Sequence, residues 1–250
     1  MVSGERRTAS SICSGISKLS IYRSSKLKEK LLNRVILSSF IVAFVIHHIY
    51  GYIGHYGYDD MEYARLASDL TRGNFDAANH YSFRIVLVGL TAVFYKIFGT
   101  NDWASSLPAL LFSVGTLILI YHCLKGLNKS YLVIGLALFS FNNWVFFYSD
   151  KLMPDVPVMF FIFLFCYLIY SFRYSPEKLP VIVYSFGAAL ALFLGFNSKE
   201  TVVLVAPLVL WLFLTDLIQK QNIKFWKQFS GVVLALGFIY LLVCQVFLGN

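Results

Sequence analysis

Three short polar stretches of this sequence hold acidic and basic residues in patterns that could do chemistry. The first is Tyr58-Asp59-Asp60, in which two carboxylates are adjacent. Repulsion between them raises the pKa of one member, which can then act as a general base nearer neutral pH. The alternative is helix capping, because an aspartate at a helix N-terminus accepts backbone N–H bonds and interacts favourably with the dipole. Capping explains one aspartate but not both, so both interpretations stay open.

The other two stretches are short turns between apolar runs. Asp150-Lys151-Leu152-Met153-Pro154-Asp155 holds two acids and a lysine, and an ordinary polar turn accounts for it at least as well as a site. Ser198-Lys199-Glu200-Thr201 places a lysine at a membrane boundary, where an ionisable residue marks either a functional site or a local Lys–Glu pair. Arg84, at the start of another apolar run, either reaches for the membrane surface or binds a phosphate.

These polar residues belong to a chain that is too apolar for a soluble domain. It is 58% hydrophobic and 14% charged, whereas soluble domains carry about 25% charged residues. Apolar runs occur at about residues 35–52, 85–98, 103–122, 131–148, 156–172, 181–197, 201–218 and 229–248. Several approach the roughly 20 residues that cross a bilayer. The sequence therefore predicts an all-α integral membrane protein.

The net charge of +8 does not indicate a nucleic-acid partner, because eight of the 21 Lys and Arg residues lie in residues 1–34. This basic segment is typical of a cytoplasmic tail near anionic lipid. The apolar run at 85–98 has only eleven uncharged residues between Arg84 and Lys96, or about 17 Å of helix, against a hydrocarbon core of about 30 Å. We therefore expect this run to form an interfacial or re-entrant helix rather than a span.

The distribution of basic residues favours seven spans with the N-terminus in the cytoplasm. If 85–98 does not span, seven basic residues lie in short inside loops and only two, Lys151 and Lys199, in short outside loops, as the positive-inside rule requires. Residues 53–102 then form one outside segment. Within it, Asp60 to Arg72 shows the apolar periodicity of an amphipathic helix that ends at Gly73. The helix at 85–98 ends at Gly99.

Taken together, these residues resemble the membrane glycosyltransferases of the GT-C fold, in the protein O-mannosyltransferase and aminoarabinose transferase superfamily. Tyr58-Asp59-Asp60-Met61-Glu62-Tyr63-Ala64-Arg65 is similar to the acidic signature after the first span. The segment from Arg84 to Leu107 is similar to the second juxtamembrane helix and the span that follows it. Asp155 falls where the family has its second acidic residue, and Ser198-Lys199 resembles a "TKG" turn in which Glu200 replaces the glycine. The resemblance covers residues 35 to about 220.

The resemblance implies transfer of a sugar from a polyprenyl-phosphate donor to a glycan, lipid or protein acceptor. The transfer would take place on the periplasmic, extracellular or endoplasmic-reticulum lumenal face. Asp59 or Asp60 would be the catalytic base, and Asp155 would position the acceptor or a divalent metal, with metal dependence left open. Arg84 and Lys199 would neutralise the phosphate of the leaving lipid. The full set of predicted substrate-binding residues is Tyr63, Arg84, Asp150, Lys199 and Glu200.

Two departures from the family pattern keep other functions in view. Family members often have proline where this chain has Ser82-Phe83-Arg84, and they are usually much longer than residues 35–250, which would make this chain a fragment or a minimal version. A non-catalytic GT-C-like scaffold is one alternative. The other is a transporter or channel subunit, which requires ionisable groups in mid-membrane or paired broken helices. The predicted spans are almost free of charge.

The predicted topology can be tested by cysteine-accessibility labelling at Asn74 and Asn128. The charge bias places position 74 outside and position 128 inside, so an impermeant thiol reagent should label only a cysteine at 74 in intact cells. Both positions should react once the membrane is permeabilised. Labelling of position 128 from the outside would contradict the assignment.

Overall fold

The computed structural model describes residues 5–52, 54–74, 76, 79–174 and 178–248. These residues form helices and connecting turns without β-strands, which confirms the predicted all-α membrane class. The α-helices are α1 Glu5–Gly51, α2 Tyr58–Arg72, α3 Ile85–Phe98, α4 Asp102–Leu124, α5 Lys129–Ser140, α6 Asn143–Tyr148, α7 Asp155–Tyr174, α8 Val181–Phe196, α9 Ala206–Ile218 and α10 Ile223–Leu248. Two 3-10 helices, His80–Phe83 and Glu200–Val205, precede α3 and α9.

Among the described residues, five helical segments are long and apolar enough to cross a membrane: Leu27–Gly51, Asp102–Leu124, Asp155–Tyr174, Glu200–Ile218 and Ile223–Val246. Each overlaps a predicted span. α1 is helical from Glu5, well before the first predicted span, but residues 27–34 still carry Lys28, Glu29, Lys30 and Arg34. The remaining two predicted spans, 131–148 and 181–197, correspond to shorter apolar helices.

The predicted span 131–148 consists of two helices in series. α5 is 12 residues long, about 18 Å, and Asn142 starts α6 by accepting the backbone N–H groups of Trp144 and Val145. Gly135 of α5 lies against Leu124, whereas the Phe146 ring of α6 lies 3.6 Å from the His47 ring. The two helices together therefore extend from the C-terminal end of α4 to the C-terminal end of α1.

Three apolar clusters hold the helices together. The largest joins α7, α8 and the start of α10 through aromatic residues such as Phe165, Tyr184 and Phe225. A second joins α1, α4 and α5 around Phe44 and Leu117. The third packs α2 on α3 and against Leu152 of the turn before α7. The third cluster fixes the polar residues described below.

The turns divide between the two ends of the bundle. One end, which we call the aspartate end, holds the C-terminal ends of α1 and α8 and the N-terminal ends of α4 and α7. Tyr52 donates to the Asp102 carbonyl (2.7 Å), and Lys199 pairs with Asp155 (2.7 Å) across this end. At the opposite end, buried Asp216 accepts from Arg173 (2.8 Å) and from the Trp226 indole (2.7 Å). Predicted outside and inside turns thus lie at opposite ends.

Close packing fixes the turn between α8 and the following 3-10 helix. A Cβ at Gly195 would stand 2.9 Å from Val202 Cγ2 and 3.3 Å from Phe161 Cβ, so the 3-10 helix approaches α8 at this glycine. The Gly195 carbonyl also accepts the N–H groups of Ser198 and Lys199, each at 3.0 Å. These contacts determine where Lys199 and Glu200 leave the bundle.

Candidate active site

Helix α2 carries the acidic pair and lies on α3 through its apolar face. It begins at Tyr58, two residues before the predicted start, with Gly57 as N-cap. It ends as predicted at Gly73, whose φ of 79° lets the chain turn in the left-handed region. The buried positions are Asp60, Tyr63, Leu66 and Ala67, while Arg65 on the other face bridges Glu62 and Asp69. The predicted amphipathic pattern is confirmed.

Asp59 is half-buried, and its carboxylate has one side-chain partner. Its Oδ1 accepts a hydrogen bond from the Tyr81 hydroxyl at 2.7 Å. This bond raises the pKa of Tyr81 to about 12, so the phenol remains protonated and donating at neutral pH. Tyr81 is itself held by Asn79, which accepts its backbone N–H and donates to Glu62. Asp59 is thus oriented through Oδ1, and its second oxygen, Oδ2, takes no part in the bond to Tyr81.

Asp60 occupies a different environment from its neighbour. Asp60 is fully buried, and its Oδ2 accepts a hydrogen bond from the N–H of Tyr56 at 3.0 Å. Tyr56 precedes the first residue of α2, so this bond stabilises the N-terminus of the helix as a capping contact does. Burial raises the pKa of Asp60, although the Tyr56 N–H, His55 and Lys151 act in the opposite direction. The two interpretations of the acidic pair therefore divide between its members: Asp60 has a structural contact, and Asp59 is the more accessible carboxylate.

Arg84 lies against two aromatic rings, one of which belongs to Tyr81, the partner of Asp59. Its guanidinium carbon is 5.5 Å from the Tyr63 ring centroid and 5.7 Å from that of Tyr81. Tyr63, which the sequence predicted to bind substrate, is fully buried and packs edge-on against Tyr81. Its position suits support of Arg84 rather than direct contact with a ligand. An Arg84 nitrogen is also 3.8 Å from the Glu200 carboxylate.

The two remaining predicted turns meet at the aspartate end. Lys199 donates to Asp155 at 2.7 Å, and both side chains reach solvent. Glu200, the next residue, faces Arg84. A chain of contacts thus links Asp59, Tyr81, Arg84 and Glu200, and the Lys199–Asp155 pair adjoins it through the backbone. Within the described residues, Asp155 makes no direct contact with Asp59 or Asp60.

Asp150 points into the protein next to Lys151, which is absent from the set of predicted site residues. Its Oδ1 lies 3.2 Å from Lys151 Nζ, an ion pair without hydrogen-bond alignment. Lys151 is 1% exposed and donates to the Gly54 carbonyl at 3.0 Å. The sequence does contain one indication of a role for Lys151: it is a lysine in a predicted outside turn, whereas most basic residues lie in the predicted inside loops. Tyr81 was also missed, and nothing in its local sequence marks it.

Two adjoining cavities open beside these residues. A pocket of about 320 Å³ is lined by His80, Phe83, Arg84, Phe196, Glu200 and Tyr240. An apolar cavity of about 550 Å³ lies between α8, the second 3-10 helix, α9 and α10. Phe196 and Tyr240 line both. A charged pocket thus borders an apolar one.

The described residues contain no group of three or more His, Cys, Asp or Glu side chains placed to hold a metal ion. The carboxylates that could contribute are divided among other partners: Asp59 with Tyr81, Asp155 with Lys199, and Asp150 with Lys151. The chemistry that these side chains offer is proton transfer at Asp59 and binding of an anion at Arg84 and Lys199.

Helices that are long and apolar enough to cross a membrane, with acidic and basic groups gathered at one end, are the architecture expected of a GT-C-fold membrane glycosyltransferase. The chain belongs to the dolichyl-phosphate-mannose-protein mannosyltransferase family, whose model matches residues 85–243, more than half of the chain. It is therefore a membrane glycosyltransferase of a family that uses polyprenyl-phosphate sugar donors. The match includes Asp155 and Lys199 and begins just after Arg84. Comparisons with curated proteins and with solved structures give no match.

The raised pKa of Asp60 makes stability depend on pH. The folded protein binds this proton more readily than the unfolded chain, so the free energy of unfolding falls as pH rises from about 4 through the raised pKa. Asp60→Asn abolishes that loss, and its amide oxygen can still accept the Tyr56 N–H. We predict that the Tm of Asp60→Asn, relative to wild type, increases from acidic to neutral pH.

Thermal unfolding of both proteins in detergent over a pH series measures this difference. Asp69→Asn, which alters a partly exposed carboxylate that pairs with Arg65 on the other face of α2, is the matched control. A pH dependence of Asp60→Asn equal to that of wild type would contradict the assignment of the raised pKa to Asp60.

Proposed function

We propose that the chain transfers a hexose or pentose from a polyprenyl-phosphate donor to an acceptor hydroxyl on the non-cytoplasmic face of the membrane. The observation that carries the proposal is the position of Tyr81, which donates to Asp59 and supports Arg84 on its ring. A candidate base and a candidate phosphate-binding cation are thereby held by one side chain. Glycosyl transfer from a lipid phosphate requires these two functions next to each other.

Asp59 is proposed as the general base. The acceptor hydroxyl gives its proton to Asp59 while its oxygen attacks the anomeric carbon of the donor. The bond between that carbon and the phosphate oxygen breaks, and polyprenyl phosphate leaves with the bonding electron pair. A base must lie within hydrogen-bond reach of the proton that it removes. The Tyr81 hydroxyl fixes one Asp59 oxygen and leaves the other for an acceptor.

Arg84 and Lys199 are proposed to bind the donor phosphate. Both cations now face carboxylates, Arg84 facing Glu200 at 3.8 Å and Lys199 facing Asp155 at 2.7 Å. A phosphate is a stronger partner for a guanidinium than a carboxylate at 3.8 Å, since it offers paired acceptor oxygens and more charge. Donor binding would displace Glu200, which is exposed and free to turn away. Asp155 would then be available to orient the acceptor.

The two adjoining cavities suit a ligand with a charged head and an apolar tail. The pocket that contains Arg84 would hold the phosphate and sugar, and the larger apolar cavity would hold the first part of the polyprenyl chain. Its volume of about 550 Å³ lies within the usual range of ligand pockets, roughly 300–1,000 Å³. Asp150 and Tyr63, both buried, would support the site from beneath.

The base assignment predicts a selective effect of Asp59→Asn. The amide keeps the shape of the side chain and the contact with Tyr81 but cannot take a proton. Turnover should therefore fall at least about a hundredfold, the scale of general-base catalysis, with donor affinity within about twofold of wild type. Sugar transfer from a polyprenyl-phosphate donor in membranes gives the rate, with Asp69→Asn as control. If Asp59→Asn transfers sugar at the wild-type rate, Asp59 is not the base. If the wild-type protein binds the donor but transfers no sugar, the chain is a non-catalytic scaffold.

The phosphate assignment predicts opposite effects at Arg84 and Glu200. Arg84→Ala or Lys199→Ala removes a charge-assisted contact worth about 1.5–3 kcal/mol, which lowers affinity for polyprenyl phosphate roughly tenfold to a hundredfold. Glu200→Gln removes the competing carboxylate and should raise affinity by up to about fivefold, the scale of an exposed ion pair. Equilibrium binding of labelled polyprenyl phosphate in detergent measures both. Unchanged binding in all three variants would remove these residues from the site.

A further inference from the structure

The charged side chain of Lys151 is buried in a position that no substrate contact explains. Its ammonium group touches the Gly54 carbonyl (3.0 Å) and the Asp150 carboxylate (3.2 Å). It also lies 5.4 Å from the Phe147 ring centroid and 5.9 Å from that of Tyr52. Burying an ammonium group is costly unless it is paired and hydrogen-bonded. The chain meets that cost with a carboxylate, a carbonyl and two aromatic faces.

The partner carbonyl belongs to residues 54–57, the connection between α1 and α2, which we call the strap. The strap has a second contact with the same region, since the Tyr56 ring packs edge-on against Phe147 at 5.1 Å. It is also held on α4, where His55 Nε2 is 2.7 Å from Ser105 Oγ. α6 with the turn that follows it, on one side, and the start of α4, on the other, therefore hold the strap.

The strap leads directly into the acidic pair. The Tyr56 N–H donates to Asp60, and Asp59 stands in the first turn of α2 immediately after the strap. Displacement of Gly54 and Tyr56 would thus move the N-terminal end of α2, whereas the rest of α2 is held on α3 by its apolar face. The Gly54 carbonyl, at the start of the strap, is bound to the turn before α7 by the Lys151 side chain.

We propose that Lys151 is a positioning residue for the transfer reaction, which clamps the strap to the turn before α7 and thereby sets the position of Asp59. This inference rests on the proposed function of Asp59. Lys151 is buried and does not reach a ligand, so it acts through the strap and not on substrate. The Arg84 and Lys199 contacts to the donor do not depend on it.

The test compares Lys151→Met, which keeps the length of the side chain and removes the charge, with Lys151→Arg, which keeps the charge and the donors. Hydrogen exchange of the full chain in detergent, followed by mass spectrometry, reports on peptides that cover the strap and the start of α2. Lys151→Met should exchange several-fold faster there and at wild-type rates in α7 and α8. Lys151→Arg should restore at least part of the protection.

The kinetic readout separates positioning from loss of the fold. A displacement of about 1 Å can cost about a hundredfold in rate, so kcat of Lys151→Met should fall at least tenfold on that scale, with the KM for donor within about twofold. Lys96→Met, which changes an exposed lysine of α3, is the control for loss of a charge. If Lys151→Met does not fold, because the buried Asp150 carboxylate has lost its partner, the double variant Asp150→Asn, Lys151→Met replaces it in both measurements.

Wild-type exchange of the strap in Lys151→Met, or in the double variant that replaces it, would overturn the proposal, whatever the activity. A fall in kcat with unchanged exchange would overturn it too, since Lys151 would then act by another route. Failure of the proposed function is recognised separately, by full activity of Asp59→Asn. In that case the exchange measurement still decides whether Lys151 clamps the strap.

Discussion

Burial of one face of α2 against α3 determines the geometry of the whole aspartate end. Tyr63, Leu66 and Ala67 are fully buried there, and a leucine side chain contributes about 1.5–3 kcal/mol when it is fully buried. Leu152 joins the same cluster, so the turn before α7 is held on α2 as well. Asp59, Arg84 and Lys151 belong to three separate segments, and this packing brings those segments together.

The acidic pair shows how one sequence motif divides into two functions. Adjacent residues on a helix point about 100° apart, so both carboxylates cannot share one environment. Asp60 falls on the buried face and accepts a backbone N–H, while Asp59 falls at the edge and meets Tyr81. The capping and catalytic interpretations are therefore compatible, because each describes a different residue.

The sequence predicted what depends on local patterns. The apolar periodicity of α2, its end at Gly73, the short α3 and the all-helical class follow from spacing and residue type. The break at Asn142 was not predicted, since the run 131–148 is apolar apart from a few residues such as Ser140, Asn142 and Asn143. The contacts of Lys151 with Gly54 and of Tyr81 with Asp59 join residues far apart in the chain. Such pairs depend on how helices pack, and no spacing within one helix reveals them.

Gly195 bears on how sequence variation in this protein should be interpreted. Because Val202 and Phe161 occupy the space where a Cβ would stand, position 195 is restricted by geometry alone. A side chain there would push the 3-10 helix away and carry Lys199 and Glu200 with it. Loss of activity in a Gly195 variant would thus resemble the loss of a reacting group, although glycine has no group to react. Intolerance to substitution at position 195 would reflect the close approach of α8 and the second 3-10 helix, not a role of this residue in the reaction.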